Sequence, residues 1–273
     1  MKKIGFLGIG HMGGALAQAL AAENSPEQIM IYDLNSSRVE TMCSQVGFTA
    51  ASSEIELVKN TEILMLCVKP DVMDSVIKNL IPILQELEQA GERRILCSIA
   101  AGVSLKQLND PLRTAKLNCS VLRIMPNIPV TVREGMLLFA REPGITDQQI
   151  HAVMEIMKAC GQCEETSEAV LELACPVFSC SPAFAYMFIE ALAYGGTQIG
   201  LRYDQSVRYA AQALFGAAKV VLEEKKSIGS LKEELCTPGG MTICGINELH
   251  RLGFTHAVIQ AVIKSYQRQG NLA

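Results

Sequence analysis

Apolar residues along this chain follow two regimes. Up to about residue 165, short apolar runs alternate with longer stretches of helical period. Lys2–Leu7, Gln28–Tyr32, Glu62–Val68, Arg94–Ile99, Ser120–Met125 and Gly135–Ala140 read as strands, with shorter ones at Thr49–Ser52 and Gln162–Glu165. Helices are expected over Gly14–Glu23, Ser36–Val46, Glu54–Lys59, Asp71–Leu87, Leu105–Asn109 and Asp147–Ala159. Strand and helix in alternation predict a mostly parallel sheet covered on both faces, and the nearly pure apolar strands agree with that. After about Thr166 strand signals become few. Phe184–Gly200, Tyr203–Lys225, Ser230–Leu235 and Met241–Arg268 have helical period, and alanine is dense at 183–193 and 210–218, where small side chains let helices approach closely. The expected organisation is α/β: a doubly wound, mostly parallel sheet domain over 1–165, followed by an all-helical domain over 166–273 whose long apolar helices suggest a dimer interface.

Composition narrows the function classes. With 49% hydrophobic and 19% charged residues in 273, a sizeable core is available and disorder is not expected. A net charge of −4 and the lack of a basic block argue against a nucleic-acid partner. The apolar run after Met-Lys-Lys is too short and glycine-rich for a signal peptide or a membrane span, so a soluble cytoplasmic protein is expected. Ten scattered cysteines read as reduced thiols used as small hydrophobes. Cys160 and Cys163 have C-x-x-C spacing. A redox dithiol or half a zinc site would also have it, but no second C-x-x-C and no H-x3-5-H partner exists, and no metal site is expected.

Gly8-Ile9-Gly10-His11-Met12-Gly13 follows a strand and opens a helix, the context that makes G-x-G-x-x-G informative. Gly8 permits a tight turn, Gly10 clears the backbone for a pyrophosphate, and Gly13 lets helix and strand pack closely. Free amides and the positive helix end then hold the anion. Asp33, twenty residues after Gly13 at the end of the second strand, is placed to accept hydrogen bonds from a ribose and to repel a 2′-phosphate. NADH or NADPH is the expected cofactor, with Asp33 tipping the balance to NADH and Asn35, Ser36, Ser37 and Arg38 as possible donors to a phosphate.

These and later residues resemble the pyrroline-5-carboxylate reductases. Leu7–Met12, Val68-Lys69-Pro70, Ser98–Ser104 and Met125–Pro129 occur in that family's order, and Gly216–Lys219, Leu231–Glu233 and Thr237-Pro238-Gly239-Gly240-Met241-Thr242-Ile243 carry the strongest likeness. The similarity covers nearly the whole chain. It implies a Rossmann-type domain, a helical dimerisation domain, and reduction of a cyclic imine to L-proline with NAD(P)H. It also implies homodimers or larger rings of dimers. Leu7, Gly8, Ile9, Gly10, His11 and Met12 would line the pyrophosphate. Cys67, Val68, Lys69, Pro70, Ile99, Ala100 and Ala101 would line the ribose and nicotinamide side. Thr237 and the amides of Gly239 and Gly240 would hold the substrate, Glu168 and Glu233 match acidic positions nearby, and Thr242 would meet the ring nitrogen as the catalytic group. Independently of the likeness, two glycines before a helix make a carboxylate cradle.

Three positions depart from the pattern. Where the family carries Ser-Gly-Ser-Gly-Pro-Ala-Tyr, this chain reads Phe178-Ser179-Cys180-Ser181-Pro182-Ala183-Phe184. Asp33 and Glu54 each add negative charge where relatives carry small, hydroxyl or amide groups. The altered 178–184 stretch keeps two alternatives open: a different cyclic imine, or a nucleotide-binding regulator with weakened turnover.

Overall fold

The computed structural model describes residues 4–269, so Lys2 and Lys3 of the first expected strand lie outside the described residues. Eight strands form one sheet: β1 (Ile4–Leu7), β2 (Ile29–Tyr32), β3 (Thr49–Ala50), β4 (Ile63–Leu66), β5 (Ile95–Ser98), β6 (Ser120–Met125), β7 (Gly135–Arg141) and β8 (Gly161–Glu165). Their order is β3-β2-β1-β4-β5-β6-β7-β8, parallel except between β6 and β7. Side chains alternate along each strand and so build two layers. Phe6, Ile31, Met65 and Phe139 face α1 (His11–Ala21), α2 (Ser36–Val46) and α6 (Asp147–Met157). Leu7, Leu64, Leu66 and Leu138 face α3 (Glu54–Asn60), α4 (Met73–Gln89), α5 (Leu105–Thr114) and α7 (Glu168–Phe178). This is the doubly wound arrangement expected from the alternating pattern.

The compact units divide between Ser179 and Cys180: one runs to Ser179 and takes in Gln269, the other is Cys180–Arg268. The reason is α7, a helix not anticipated because Pro176 sits in its last turn. Ser167 caps it, and Leu171 is fully buried in the second layer beneath the sheet. Two other boundaries moved. α5 runs on past Asn109 because Ser104 and Gln107 form a capping box that outweighs Pro111. The expected helix Met241–Arg268 is two helices, α11 (Met241–Arg251) and α12 (Phe254–Gln269), broken at Gly253 with φ +76°.

The second unit contains α8 (Ser181–Gln198), α9 (Tyr203–Glu223), α10 (Ile228–Glu234), α11 and all but the end of α12. Ala193 and Ala210 are buried there, whereas Met187, Ile199, Leu222 and Leu252 are well exposed. By length and composition alone, Glu168–Gln198 could cross a membrane, but it is two helices, and the first belongs to the sheet unit.

Arg94 shows how the nucleotide-side strands are anchored. Its side chain is buried and donates from Nε to the Val58 carbonyl at 2.9 Å and from Nη2 to the Lys59 carbonyl at 3.0 Å. A cation thus closes the last turn of α3 at the entry to β5. Arg94→Met should lower stability by about 2 kcal/mol, because buried carbonyls lose their donors. Urea unfolding measures this; an unchanged midpoint would show that those carbonyls are solvated.

Candidate active site

Strand register assembles the first half of the site. Leu7 pairs with Tyr32 on one side and with Leu66 on the other, and Leu66 pairs with Ser98. Pairing continues one step further, with Gly8 N–H donating to Tyr32 O (2.8 Å), Cys67 N–H to Leu7 O (2.8 Å) and Ile99 N–H to Leu66 O (3.2 Å). Gly8, Asp33, Cys67 and Ile99 therefore leave the sheet side by side, where strand order reverses between β1 and β4. That crevice is where doubly wound sheets bind dinucleotides. Every cofactor-side residue expected from the sequence comes to this edge.

The three glycines of the loop have different duties. Gly8 has φ +93°, and a Cβ there would lie 2.8 Å from the Cys67 carbonyl oxygen. A Cβ on Gly13 would lie 2.4 Å from the Gly8 carbonyl oxygen and 2.8 Å from the Cys67 Cβ. Gly10 is the opposite case: a Cβ there would meet nothing within 4 Å. Its neighbours leave open the space that a pyrophosphate needs. Gly10 also caps α1 without a side-chain hydrogen bond, so the first amides of an eleven-residue helix face that opening. A cavity of about 440 Å³ lies beside Gly10, His11, Arg38 and Thr131. The residues present fit the diphosphate of a dinucleotide.

Asp33 is more constrained than expected. Its Oδ2 accepts from Ile9 N–H at 2.8 Å and its Oδ1 from Asn35 N–H at 2.9 Å. The carboxylate thus holds the glycine loop against the end of β2, whatever it does for a ribose. Asn35 turns its own side chain to cap α2, accepting from Arg38 N–H. On the nicotinamide side, burial pushes the Cys67 thiol far up, and Cys97 adds to the shift. Val68 and Ile99 are half-buried, Ala100 is buried, and Lys69 and Ala101 are exposed.

Within the helical unit, the Thr237–Thr242 segment forms the expected turn. Gly240 N–H donates to Thr237 O at 2.9 Å, Gly239 has φ +69°, and Gly240 caps α11 without a side-chain bond. A Cβ on Gly240 would lie 2.3 Å from Thr237 Oγ1, so only glycine lets the threonine sit there. The opening amides of α11 and the Thr242 side chain are exposed. Glu233 is exposed on α10, one turn before this segment.

Glu168 is placed differently from expectation. Its Oε1 accepts from Arg123 Nη1 at 2.8 Å and from Leu105 N–H at 2.7 Å. These bonds tie Glu168 into the sheet unit. Arg123 was not anticipated. A single arginine in the apolar run Ser-Val-Leu-Arg-Ile-Met, and glutamates at helical spacing at 168 and 172, were the available signal. In the altered stretch the family's glycines fall at Ser179 (φ −83°, ψ −35°) and Ser181, and neither has positive φ, so neither needs glycine for its backbone conformation. Burial pushes the Cys160 thiol up to about 12 and the Cys163 thiol to about 11, far from the reactive range of a redox dithiol. All four histidines are exposed.

Comparison with known proteins agrees with this geometry. Residues 3–102 match the family model described as NADP oxidoreductase coenzyme F420-dependent, and residues 168–272 match pyrroline-5-carboxylate reductase dimerisation. Pyrroline-5-carboxylate reductase of Escherichia coli (strain K12) is 34% identical over 275 residues, covering 100% of this chain and 98% of its own. The chain belongs to the pyrroline-5-carboxylate reductase family. The Methanosarcina acetivorans member is 33% identical over 273 residues, covering 99% of this chain and 98% of its own. A solved pyrroline carboxylate reductase of Plasmodium falciparum, with NADP bound, superposes with a TM-score of 0.84 at 27% identity, over 98% of this chain and 97% of that one. The match to a dimerisation domain, together with the exposed apolar residues of the helical unit, points to a homo-oligomer.

Gly10→Ala should leave thermal unfolding unchanged, because its Cβ enters open space, and should weaken NAD(P)H binding at least about tenfold. Gly13→Ala should instead destabilise the fold, because its Cβ enters occupied space. Thermal unfolding with and without nucleotide separates the two; equal effects would contradict the division of roles.

Proposed function

We propose that this family member reduces 1-pyrroline-5-carboxylate to L-proline with NADH or NADPH. The observation that carries the reading to the substrate is the Thr237–Thr242 turn. The Gly239 amide and the uncapped start of α11 offer donors to a carboxylate, and a threonine hydroxyl follows at once. When bound, the reduced nicotinamide supplies a hydride. The chain's own groups place and polarise the reactants. The Gly239 amide, the first amides of α11 and the Thr237 hydroxyl take the substrate carboxylate, while the Gly240 amide closes the turn on Thr237 O. Thr242 hydrogen-bonds the ring nitrogen, whose positive charge in the protonated imine makes its carbon an acceptor. Glu233 lies close in sequence to the turn and favours that cationic ring.

Asp33 supports a preference for NADH, because a fixed carboxylate at the end of β2 repels a 2′-phosphate. The homo-oligomer is built from dimers, since the helical unit leaves long apolar faces uncovered. Ten free cysteines favour a reducing compartment, and we place the protein in the cytoplasm. The Phe178–Phe184 stretch favours a second reading, in which a larger ring replaces the five-membered one.

Purified protein should oxidise NADH on 1-pyrroline-5-carboxylate and release L-proline. Faster turnover of a six-membered imine carboxylate would favour the second reading, and no turnover on any cyclic imine would exclude both. Asp33→Asn keeps an acceptor for Ile9 N–H while removing the charge. It should raise the NADPH-to-NADH ratio of kcat/KM by at least about fivefold; an unchanged ratio would show that Asp33 does not face the 2′ position. Thr242→Val should lower kcat about tenfold or more, because the ring nitrogen loses its partner.

A further inference from the structure

Arg123 is the largest fully buried side chain among the described residues. It extends from β6 to α7, where Nη1 meets Glu168 and Nη2 pairs with Glu172. Glu168 and Glu172 are four residues apart on α7 and so share a face. They differ in what else they hold. Glu168 Oε1 also takes the Leu105 N–H, the first amide of α5, whereas Glu172 takes the Gln269 side chain. A carboxylate at that amide satisfies a helix-start donor and complements the helix dipole.

The position of Arg123 gives this arrangement its consequence. Its backbone pairs with Ser98, the last residue of β5. The segment from Ile99 to Ser104 leaves the sheet at Ser98 and enters α5 at Leu105. It carries Ile99, Ala100 and Ala101, the residues assigned above to the nicotinamide side. Ser98, Arg123, Glu168 and Leu105 thus close a ring through the neck of this loop: one strand pairing, one ion pair and one helix-cap bond tie its two ends together. Within the middle of the loop, bonds are long, with Ala100 N–H to Ser98 Oγ at 3.3 Å and Val103 N–H to Ala100 O at 3.5 Å, whereas the Ser104 N–H at its end donates to Gln107 Oε1 at 2.8 Å in the α5 cap. The tie at the neck is therefore the restraint that joins the α5 end of the loop back to the sheet.

We propose that Glu168, held by Arg123, is a positioning residue that fixes the 99–104 loop against the nicotinamide half of the cofactor. Glu172 shares the same cation but only fastens α7. The proposal rests on the dinucleotide reading of the site. The pair also provides its own control, because removing either glutamate leaves Arg123 one carboxylate, so neither variant orphans a buried charge.

The experiment compares Glu168→Ala, Glu168→Gln and Glu172→Ala in the full chain. Turnover of the unaltered protein on 1-pyrroline-5-carboxylate is read first, so failure of the functional reading shows separately. Glu168→Ala should lower kcat about tenfold and raise the NAD(P)H KM severalfold, with the imine KM within about twofold, because the loop end is released from the hydride donor. Glu168→Gln keeps a carbonyl for the Leu105 N–H and should recover most of kcat. Glu172→Ala should lose comparable thermal stability yet keep kcat within about twofold. Fluorescence titration with NAD(P)H reads the same point without turnover, with weaker binding expected for Glu168→Ala alone. Parallel losses in Glu168→Ala and Glu172→Ala, or a lower melting temperature in Glu168→Ala with unchanged kcat and nucleotide affinity, would overturn the proposal.

Discussion

The pairing of β1 with β2 on one side and β4 on the other is the constraint on which the cofactor site depends. It is parallel on both sides and in the same register, so three strand ends finish level, and β5 follows through β4. Chain direction then sends the loops after these strands out of one edge. The glycine loop fits there only because Gly8 and Gly13 let β1, α1 and the Cys67 backbone approach within van der Waals contact. Any side chain at Gly13 would push the helix start away from the crevice it serves.

Two kinds of group maintain this edge. Apolar layers above and below the sheet supply the bulk of its stability, and a few buried charged side chains set the loops. At this edge Asp33 holds the glycine loop to β2, and Arg123 with Glu168 ties the β5–α5 loop at its neck; at the opposite end of the strands, Arg94 closes α3 where β5 begins. Each joins segments far apart in sequence through backbone carbonyls or amides, where a lost partner is costly. The helical unit relies on different physics. Small residues let its helices approach, but large apolar side chains such as Met187 and Leu222 remain exposed, which a second copy would cover.

Much of this was legible in the residues. Period and alternation located the strands, because residues buried on both faces leave apolar runs that turn residues interrupt. The Gly8–Gly13 spacing and Asp33 located the cofactor edge, since local geometry alone dictates those residue types. The Pro-Gly-Gly-x-Thr turn was readable for the same reason. Long-range partnerships were not. Glu168 carries the same letter whether it meets substrate or caps α5, and only the fold brings Arg123 and Leu105 to it. α7 was missed because a proline in a helix reads as a break; the carbonyl that Pro176 leaves without an amide, Glu172 O, accepts from the Gln269 side chain instead. The serines at 179 and 181, in place of the family's glycines, looked severe by letter, but neither position has the positive φ that would require glycine.

The proposed reaction carries a hydride from the nicotinamide to the imine carbon of a carboxylate-bearing ring. Label transfer tests it most directly. With nicotinamide doubly deuterated at C4 and 1-pyrroline-5-carboxylate in ordinary water, the purified protein should release proline carrying a single deuterium, on the carbon that was double-bonded to nitrogen. Proline without deuterium, or no consumption of the labelled nucleotide, would contradict it.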